Sequence, residues 1–177
     1  MTTEKVILVD ENDHATGEME KMEAHEKAVL HRAFSVFIFN NNHELMLQQR
    51  ALSKYHSPGL WTNTCCSHPR PGEETEAAAH RRLMEEMGFD CEIHKIFDFI
   101  YKAKLDQGLT EHEFDHVFAG TFNANPKINH HEVESWKWMH LDDIATDMKM
   151  DPEKYTVWFK IAFERVREYL IGQKSWI

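Results

Sequence analysis

The stretch Leu60–Asp90, LWTNTCCSHPRPGEETEAAAHRRLMEEMGFD, decides how the rest of the chain is read. Its second half is the clearest helix in the sequence. Over Glu74–Met87, the residues Ala79, His80, Leu83, Met84 and Met87 recur at spacings of three and four and build one apolar face. Arg81, Arg82, Glu85 and Glu86 fall opposite, and Gly88 supplies a C-terminal stop. The first half differs in kind. Ser57-Pro58-Gly59 marks a loop, Leu60–Cys66 reads as a strand, and Cys66-Ser67-His68-Pro69 follows at once. A Cys two residues from a His, just after a strand, suits a reactive thiolate or a metal. Taken alone, it reads more readily as a buried cysteine pair beside a loop His.

Working outward, Val6–Asp10 reads as a strand closed by the turn-prone Glu11–Asp13, and Met22–Leu30 as a short helix. Ala33–Phe39 and Glu44–Arg50 read as a hairpin across Asn40–His43. Strands follow at Ile96–Lys104, Glu113–Thr121 and Trp136–Met139, with a loop at Asn123–Pro126 and a short helix at Leu141–Met148. A last helix, Pro152–Ile171, takes Asp151 as its cap and Pro152 at its first position, with a stripe of Phe159, Ala162, Phe163, Val166 and Leu170. No internal repeat or linker interrupts this. The order predicts an α+β fold: one αβα layered domain over 1–177, with mixed and antiparallel sheets and flanking helices.

Composition narrows the function. With 42% hydrophobic and 28% charged residues the chain is neither disordered nor fibrous. A formal charge of −10 argues against a sequence-independent grip on nucleic acid, while leaving room for a local basic pocket. Three Cys without a Cys-x-x-Cys do not make a disulfide framework, so reduced thiols and a cytoplasmic setting are expected. MTTEKVILVD does not read as a signal peptide, and no apolar run approaches a membrane span. Nothing in the pattern calls for an assembly beyond the monomer.

Two further clusters bear on chemistry. Glu111-His112-Glu113 alternates at strand spacing, so both carboxylates share a face and repel unless solvated, protonated or bound to a cation. His25 and His31 flank the first helix, and thirteen His in all is a high number for 177 residues. Three His and two Glu offer nitrogen and oxygen donors for a divalent ion of octahedral habit, rather than a closed Cys-rich zinc site. On the helix, Arg81–Glu85 and Arg82–Glu86 are i, i+4 pairs.

Ser67-x5-Glu73-x7-Arg81-Arg82-Leu83-Met84-Glu85-Glu86-Met87-Gly88-Phe89 has the spacing of the Nudix box, with Ser67 where the box has Gly and Arg82 where it has Glu. Together with TNTCCSHP and EHE, and with EKMEAHEKAVLHRAFSVFIFN and QQRALSKYHSPGLWTN, it resembles the type I isopentenyl-diphosphate isomerases of the Nudix superfamily. The resemblance runs from about Lys21 to Trp158. It implies a Nudix-like fold and a small-molecule substrate, isopentenyl diphosphate, interconverted with dimethylallyl diphosphate. It implies Cys66 and Glu113 as the proton-handling residues. His25, His31, His68, Glu111 and Glu113 would bind a divalent metal (Mg²⁺, Mn²⁺ or Zn²⁺). Glu86 would hold a second Mg²⁺ with the diphosphate. Lys21, Arg50, Lys54 and Arg82 would hold the diphosphate itself, close to the Ser67 backbone, and Tyr101 and Trp158 would line the hydrocarbon pocket. It leaves Cys65, Cys91, His56 and His112 without a role.

The chemistry matches these residue types. Protonating the terminal carbon of the alkene leaves a tertiary carbocation, and loss of a neighbouring proton completes the shift of the double bond, so one group gives a proton and another removes one. The alternative is a Nudix diphosphohydrolase acting on a nucleotide or prenyl diphosphate. Arg82 separates the two, because a cation in place of a carboxylate weakens a water-activating metal cluster while adding a phosphate partner.

Overall fold

Thr62-Asn63-Thr64 sits with all three residues fully buried, wedged between two strands that the sequence pairs as a simple hairpin. The computed structural model describes residues 3–173. Met1, Thr2 and residues 174–177, counted in the expected 1–177 domain, lie outside them. The first part of the chain comprises β1 (Lys5–Val9), β2 (Ala15–Glu20), α1 (Lys21–Glu26), β3 (His31–Phe39), β4 (Glu44–Arg50), β5 (Trp61–Thr62) and β6 (Cys65–Ser67). There follow α2 (Thr75–Met87), β7 (Ile93–Lys104), β8 (Thr110–Thr121), β9 (Val133–His140), α3 (Leu141–Met150) and α4 (Val157–Gly172).

β3 is the hub. One edge pairs in parallel with β8 along its whole length, from His31↔Glu113 to Phe39↔Thr121. The opposite edge is shared: Leu8 of β1 pairs with His31, β6 pairs with Phe34–Val36, and Leu45 of β4 pairs with Phe39. β7 runs antiparallel to β8, and β9 antiparallel to β4.

Alternation along β3 splits the core in two. Phe37 and Phe39 pack with Phe159, Phe163 and Val166 of α4, whereas Phe34, Val36 and Ile38 pack with Leu83 and Met87 of α2. Helices therefore cover both faces of a mixed sheet, as the α+β reading expects.

The hairpin expectation holds only at its tip. β3 and β4 share the single pair Phe39↔Leu45 and then part. Into the gap Thr64 Oγ1 accepts from Ile38 N (3.0 Å) and donates to Met46 O (2.6 Å), while Asn63 Nδ2 donates to Val36 O at 3.1 Å. Side chains thus satisfy the backbone groups that a hairpin ladder would have paired. The same wedge breaks the expected Leu60–Cys66 strand into β5 and β6.

Other boundaries move for local reasons. The strand β2 went unread, being short and largely exposed. α1 stops at Glu26 instead of Leu30, because Ala28 turns into the left-handed region at φ 54°. The buried stripe of α2 is Ala78, Ala79, Leu83, Glu86 and Met87. Met84 is 51% exposed, and Glu86, expected on the solvent face, lies inside. Gly88 ends the helix at φ 70°, where a Cβ would meet Lys127 O at 2.2 Å. The last helix begins at Val157, not Pro152. Pro152–Lys154 forms a 3-10 turn, after which Tyr155 bridges to Trp61 and Thr156 Oγ1 donates to Thr62 Oγ1 at 2.9 Å. Its stripe is buried as expected.

Thr64→Val keeps the shape of the wedge and strips two buried hydrogen bonds. It should lower unfolding free energy by about 2–4 kcal/mol. A urea midpoint equal to that of the unaltered protein would contradict the wedge.

Candidate functional site

β6, β8, α1 and the start of β3 converge on one cavity, with about 100 Å³ open to the centres of water molecules. Its floor is set by strand parity. On β6, Cys65 faces α2 and Cys66 faces the cavity. On β8, Glu111 and Glu113 face it together, with Tyr101 of β7 directly across from Glu113.

The histidines gather around Glu113. His25 and His31 are fully buried, and their ring centroids lie 5.1 Å apart, with His68 at 5.7 Å and 5.0 Å from them. His25 Nδ1 meets Lys21 O at 2.7 Å and His31 Nδ1 meets Val29 O at 2.8 Å. As each Nδ1 can only donate to a carbonyl, each Nε2 carries a free lone pair. Both Nε2 atoms are buried without a hydrogen-bond partner. His31 Nε2 does lie 3.4 Å from Glu113 Oε1, but outside hydrogen-bonding geometry, while His68 Nε2 reaches the same oxygen at 2.9 Å.

The donors of His25, His31, His68 and Glu113 all lie within 4.8 Å of one another, as do those of His25, His56 and Glu111. Burial and the neighbouring His68 push His25 down to about 4, so its ring is neutral and in ligating form at pH 7. Buried lone pairs with no donor, beside two carboxylates, fit a divalent cation.

Tyr101 Oη stands 2.7 Å from Glu111 and 2.7 Å from Glu113. A phenol has one proton to share, so one carboxyl must carry its own. Burial, then the charge of Glu113, holds Glu111 well above the usual carboxylate range. Glu113 is held well below it: burial acts upward, but the hydrogen bond from His68 and the nearness of His31 prevail. Protonated Glu111 donating to Tyr101, and Tyr101 to ionised Glu113, satisfies all three groups. The hydroxyl of Tyr101 therefore serves the carboxylates, whereas the resemblance implied only an aromatic wall.

Lys21, Arg50, Lys54, Ser67 and Arg82 line the cavity, as does Trp158. Three of the cations are matched by carboxylates: Lys21 by Glu4, Lys54 by Glu132, and Arg82 by Glu86 at 2.8 Å. Arg50 stacks 5.2 Å from the Trp158 ring centroid. The thiol of Cys66 is pushed up by burial and by Glu86, Glu111 and Glu113 against Arg50, which leaves it protonated at neutral pH. Glu86 reaches the wall but belongs to neither His/Glu group. Its other oxygen accepts from Cys65 Sγ at 2.9 Å, which gives Cys65 a place.

Every candidate site residue read from the sequence thus borders this cavity or its His/Glu cluster. His56, Glu4, Glu132 and Ser35 border it too and were missed. His56 reads as a loop residue in SKYHSPG but is 3% exposed. Glu4 and Glu132 carry no local pattern at all. His112, by contrast, turns from the cavity to meet Ala28 O at 3.1 Å, and Cys91 lies far along the chain in the core around α2.

The NUDIX domain family matches residues 29–159. An isopentenyl-diphosphate Delta-isomerase from Pectobacterium atrosepticum is 53% identical over 175 residues, covering 99% of this chain and 98% of the relative. Isopentenyl-diphosphate Delta-isomerase 2 from Aromatoleum aromaticum is 52% identical, covering 92% of this chain and 86% of the relative. Among solved structures, a Deinococcus radiodurans protein superposes with a TM-score of 0.77 at 18% identity, covering 92% of this chain and 98% of that one. A MutT protein from Methanosarcina mazei Go1 gives 0.64 at 20% identity, covering 78% and 94%. At those identities the two structures speak for the fold alone.

A pH dependence follows from His25. Its folded pKa of about 4 lies below the ordinary 6.5, so between these values the unfolded chain binds more protons and stability falls as pH falls. Metal-free protein should lose on the order of 3 kcal/mol from this group between pH 7 and 4. Urea titrations at stepped pH should show His25→Gln, compared with the unaltered chain, to have a flatter profile there; equal slopes would refute it.

Proposed function

The chain belongs to the NUDIX family and, within it, to the type I isopentenyl-diphosphate Delta-isomerases, and on that footing we propose how its cavity interconverts isopentenyl and dimethylallyl diphosphate. The observation that carries the assignment is the meeting of Cys66 and Glu113 in one cavity, on strands that flank β3 from opposite edges. A small alkene between them has a proton-handling group on either side.

Cys66 and Glu113 are the proton-handling pair. The buried thiol is a proton carrier at neutral pH, and ionised Glu113 is an acceptor held by His31, His68 and Tyr101. Giving a proton to the terminal carbon and removing one from the neighbouring carbon moves the double bond, and the two roles exchange with direction. His25, His31, His68, Glu111 and Glu113 would hold a divalent cation (Mg²⁺, Mn²⁺ or Zn²⁺), which would supply a fixed positive charge and tune the acidity of the carboxylate end.

Lys21, Arg50, Lys54 and Arg82, with the Ser67 backbone, grip the diphosphate. Glu4 and Glu132 hold two of these cations until an anion takes their place. Binding energy gathered at the diphosphate fixes the alkene in position, which is where remote contacts aid catalysis. Glu86 would hold a second Mg²⁺ that adds positive charge beside the diphosphate, with Arg82, its present partner at 2.8 Å, then left to bind the diphosphate. The Trp158 ring faces the cavity and stabilises the carbocation by about 2 kcal/mol once water is excluded. The whole chain acts as one catalytic domain and monomer. Its three unpaired thiols support a cytoplasmic setting, and no described helix is long and apolar enough to cross a membrane.

Cys66→Ala removes one proton handler from a spot shaped by β6. Turnover of isopentenyl diphosphate with Mg²⁺, followed by NMR in D₂O, should fall by about 10²–10⁴-fold. The melting temperature should change little. Normal isomerisation, with deuterium entering the allylic product at the usual rate, would overturn the role of Cys66. Phosphate release without an allylic isomer would overturn the isomerase reading as a whole.

A further inference from the structure

Each of the four basic side chains that line the cavity is already engaged. Arg50 is committed to main-chain oxygens, donating from Nη2 to His56 O at 3.0 Å and from Nε to Ser57 O at 3.2 Å. Lys21 is ion-paired with Glu4 and Lys54 with Glu132. Arg82 Nη2 lies 2.8 Å from Glu86 and 3.4 Å from Glu132. One carboxylate, that of Glu132, thus serves a cation on the loop after β4 and another on α2.

Main-chain bonds put these two carboxylates in place. Glu132 N donates to Asn129 O at 2.9 Å, Asn129 N donates to Glu86 O at 2.9 Å, and Ala51 N donates to Glu132 O at 3.1 Å. Glu132 is therefore pinned between the end of α2 and the loop that carries Lys54. Glu4 O accepts from Lys21 N at 2.9 Å, which sets Glu4 beside the start of α1. Burial acts upward on both carboxyls, but the hydrogen bonds of Lys21 and Lys54 prevail, so both stay ionised at neutral pH. Neither handles a proton in the reaction, and each meets cations assigned to the diphosphate.

An entering anion must take these cations from their carboxylates. Resting on the diphosphate-site reading above, we propose that Glu4 and Glu132 are built-in competitors of the diphosphate, yielding Lys21, Lys54 and Arg82 to the substrate and reclaiming them as the product leaves. They weaken the binding of substrate and product alike, which holds KM up and shortens the stay of product without stabilising a transition state. In the empty cavity they keep half-buried cations matched. Glu132 carries more of the competition. Its side chain is 25% exposed and serves two cations, whereas that of Glu4 is 45% exposed and serves one. The sign of the effect is diagnostic: a carboxylate that merely propped up Lys54 and Arg82 would weaken anion binding when removed, and a competitor strengthens it.

Calorimetry with inorganic pyrophosphate, at one fixed Mg²⁺ concentration, reads this affinity without turnover. Glu132→Gln should bind pyrophosphate about tenfold more tightly than the unaltered protein, and Glu4→Gln about threefold. Glu164→Gln removes the same charge from an exposed position on α4 and should change nothing. With isopentenyl diphosphate, KM should fall in the first two variants without a rise in kcat. Unchanged or weaker pyrophosphate binding in Glu132→Gln would overturn the competition and leave the diphosphate site standing. Glu4→Gln, altered at an exposed side chain, decides by the same criterion if Glu132→Gln folds poorly. Equal tightening in Glu164→Gln would assign the effect to net charge and overturn the competition too. No binding of pyrophosphate by the unaltered protein would overturn the diphosphate site itself.

Discussion

The site depends on three buried polar side chains, those of Thr62, Asn63 and Thr64, driven between two strands. A hairpin of β3 and β4 would have closed on itself through backbone bonds and left no place for β6. Asn63 and Thr64 instead take over bonds to Val36, Ile38 and Met46. Gln48 holds the wedge from the other side, donating to Thr64 O at 2.9 Å. Opening β3 in this way frees its edge for Phe34–Val36 to pair with Cys65–Ser67. Parity does the rest. A slip of one residue would send Cys66 to α2 and Cys65 to the cavity.

Around that opening the protein buries an unusual density of ionisable groups. Such groups are expensive to desolvate unless matched, and here most are matched by a specific neighbour. Glu113 has His68 and Tyr101, Glu111 has Tyr101, Glu86 has Arg82 and Cys65, and the cations have Glu4 and Glu132. A chain of formal charge −10 thus keeps a cluster of cations for one inward pocket. The Nε2 atoms of His25 and His31 stay without a hydrogen-bond partner, and those are the atoms best placed for a metal ion. The unpaired lone pairs are a local cost to stability that the rest of the fold carries, as is common at functional sites.

The sheet and helix are shared with proteins of 18–20% identity, so the architecture by itself does not choose the chemistry. The choice lies in what the strands and α2 point inward. On α2, Arg82 neutralises Glu86 and also reaches Glu85 at 2.8 Å and Glu132 at 3.4 Å. Carboxylates that would gather ions are thereby tied to a guanidinium, whose planar fork lines the cavity in their stead. On β6 and β8, a thiol and a carboxylate occupy the positions that face the cavity.

How much of this was legible in the residues depends on the range of the forces involved. The bounds of β4, the end of α2 at Gly88 and the stripe of α4 were readable, because periodicity and a left-handed glycine act within a few residues. That Cys66, His68, Glu111 and Glu113 belong together was readable through TNTCCSHP and EHE, and the structure brings them to one cavity. The break between β5 and β6, the inward turn of Glu86 and the burial of His56 were not. The first needs strands β3 and β4 to be pushed apart, the second needs β6 beneath α2, and the third needs Asp106 to hold Ser57 N and Trp158 to pack on the ring. Sequence by itself determined which side chains the chain carries and their local period. Only the tertiary structure decided which of them lose water together, since pairing and burial are settled between segments tens of residues apart.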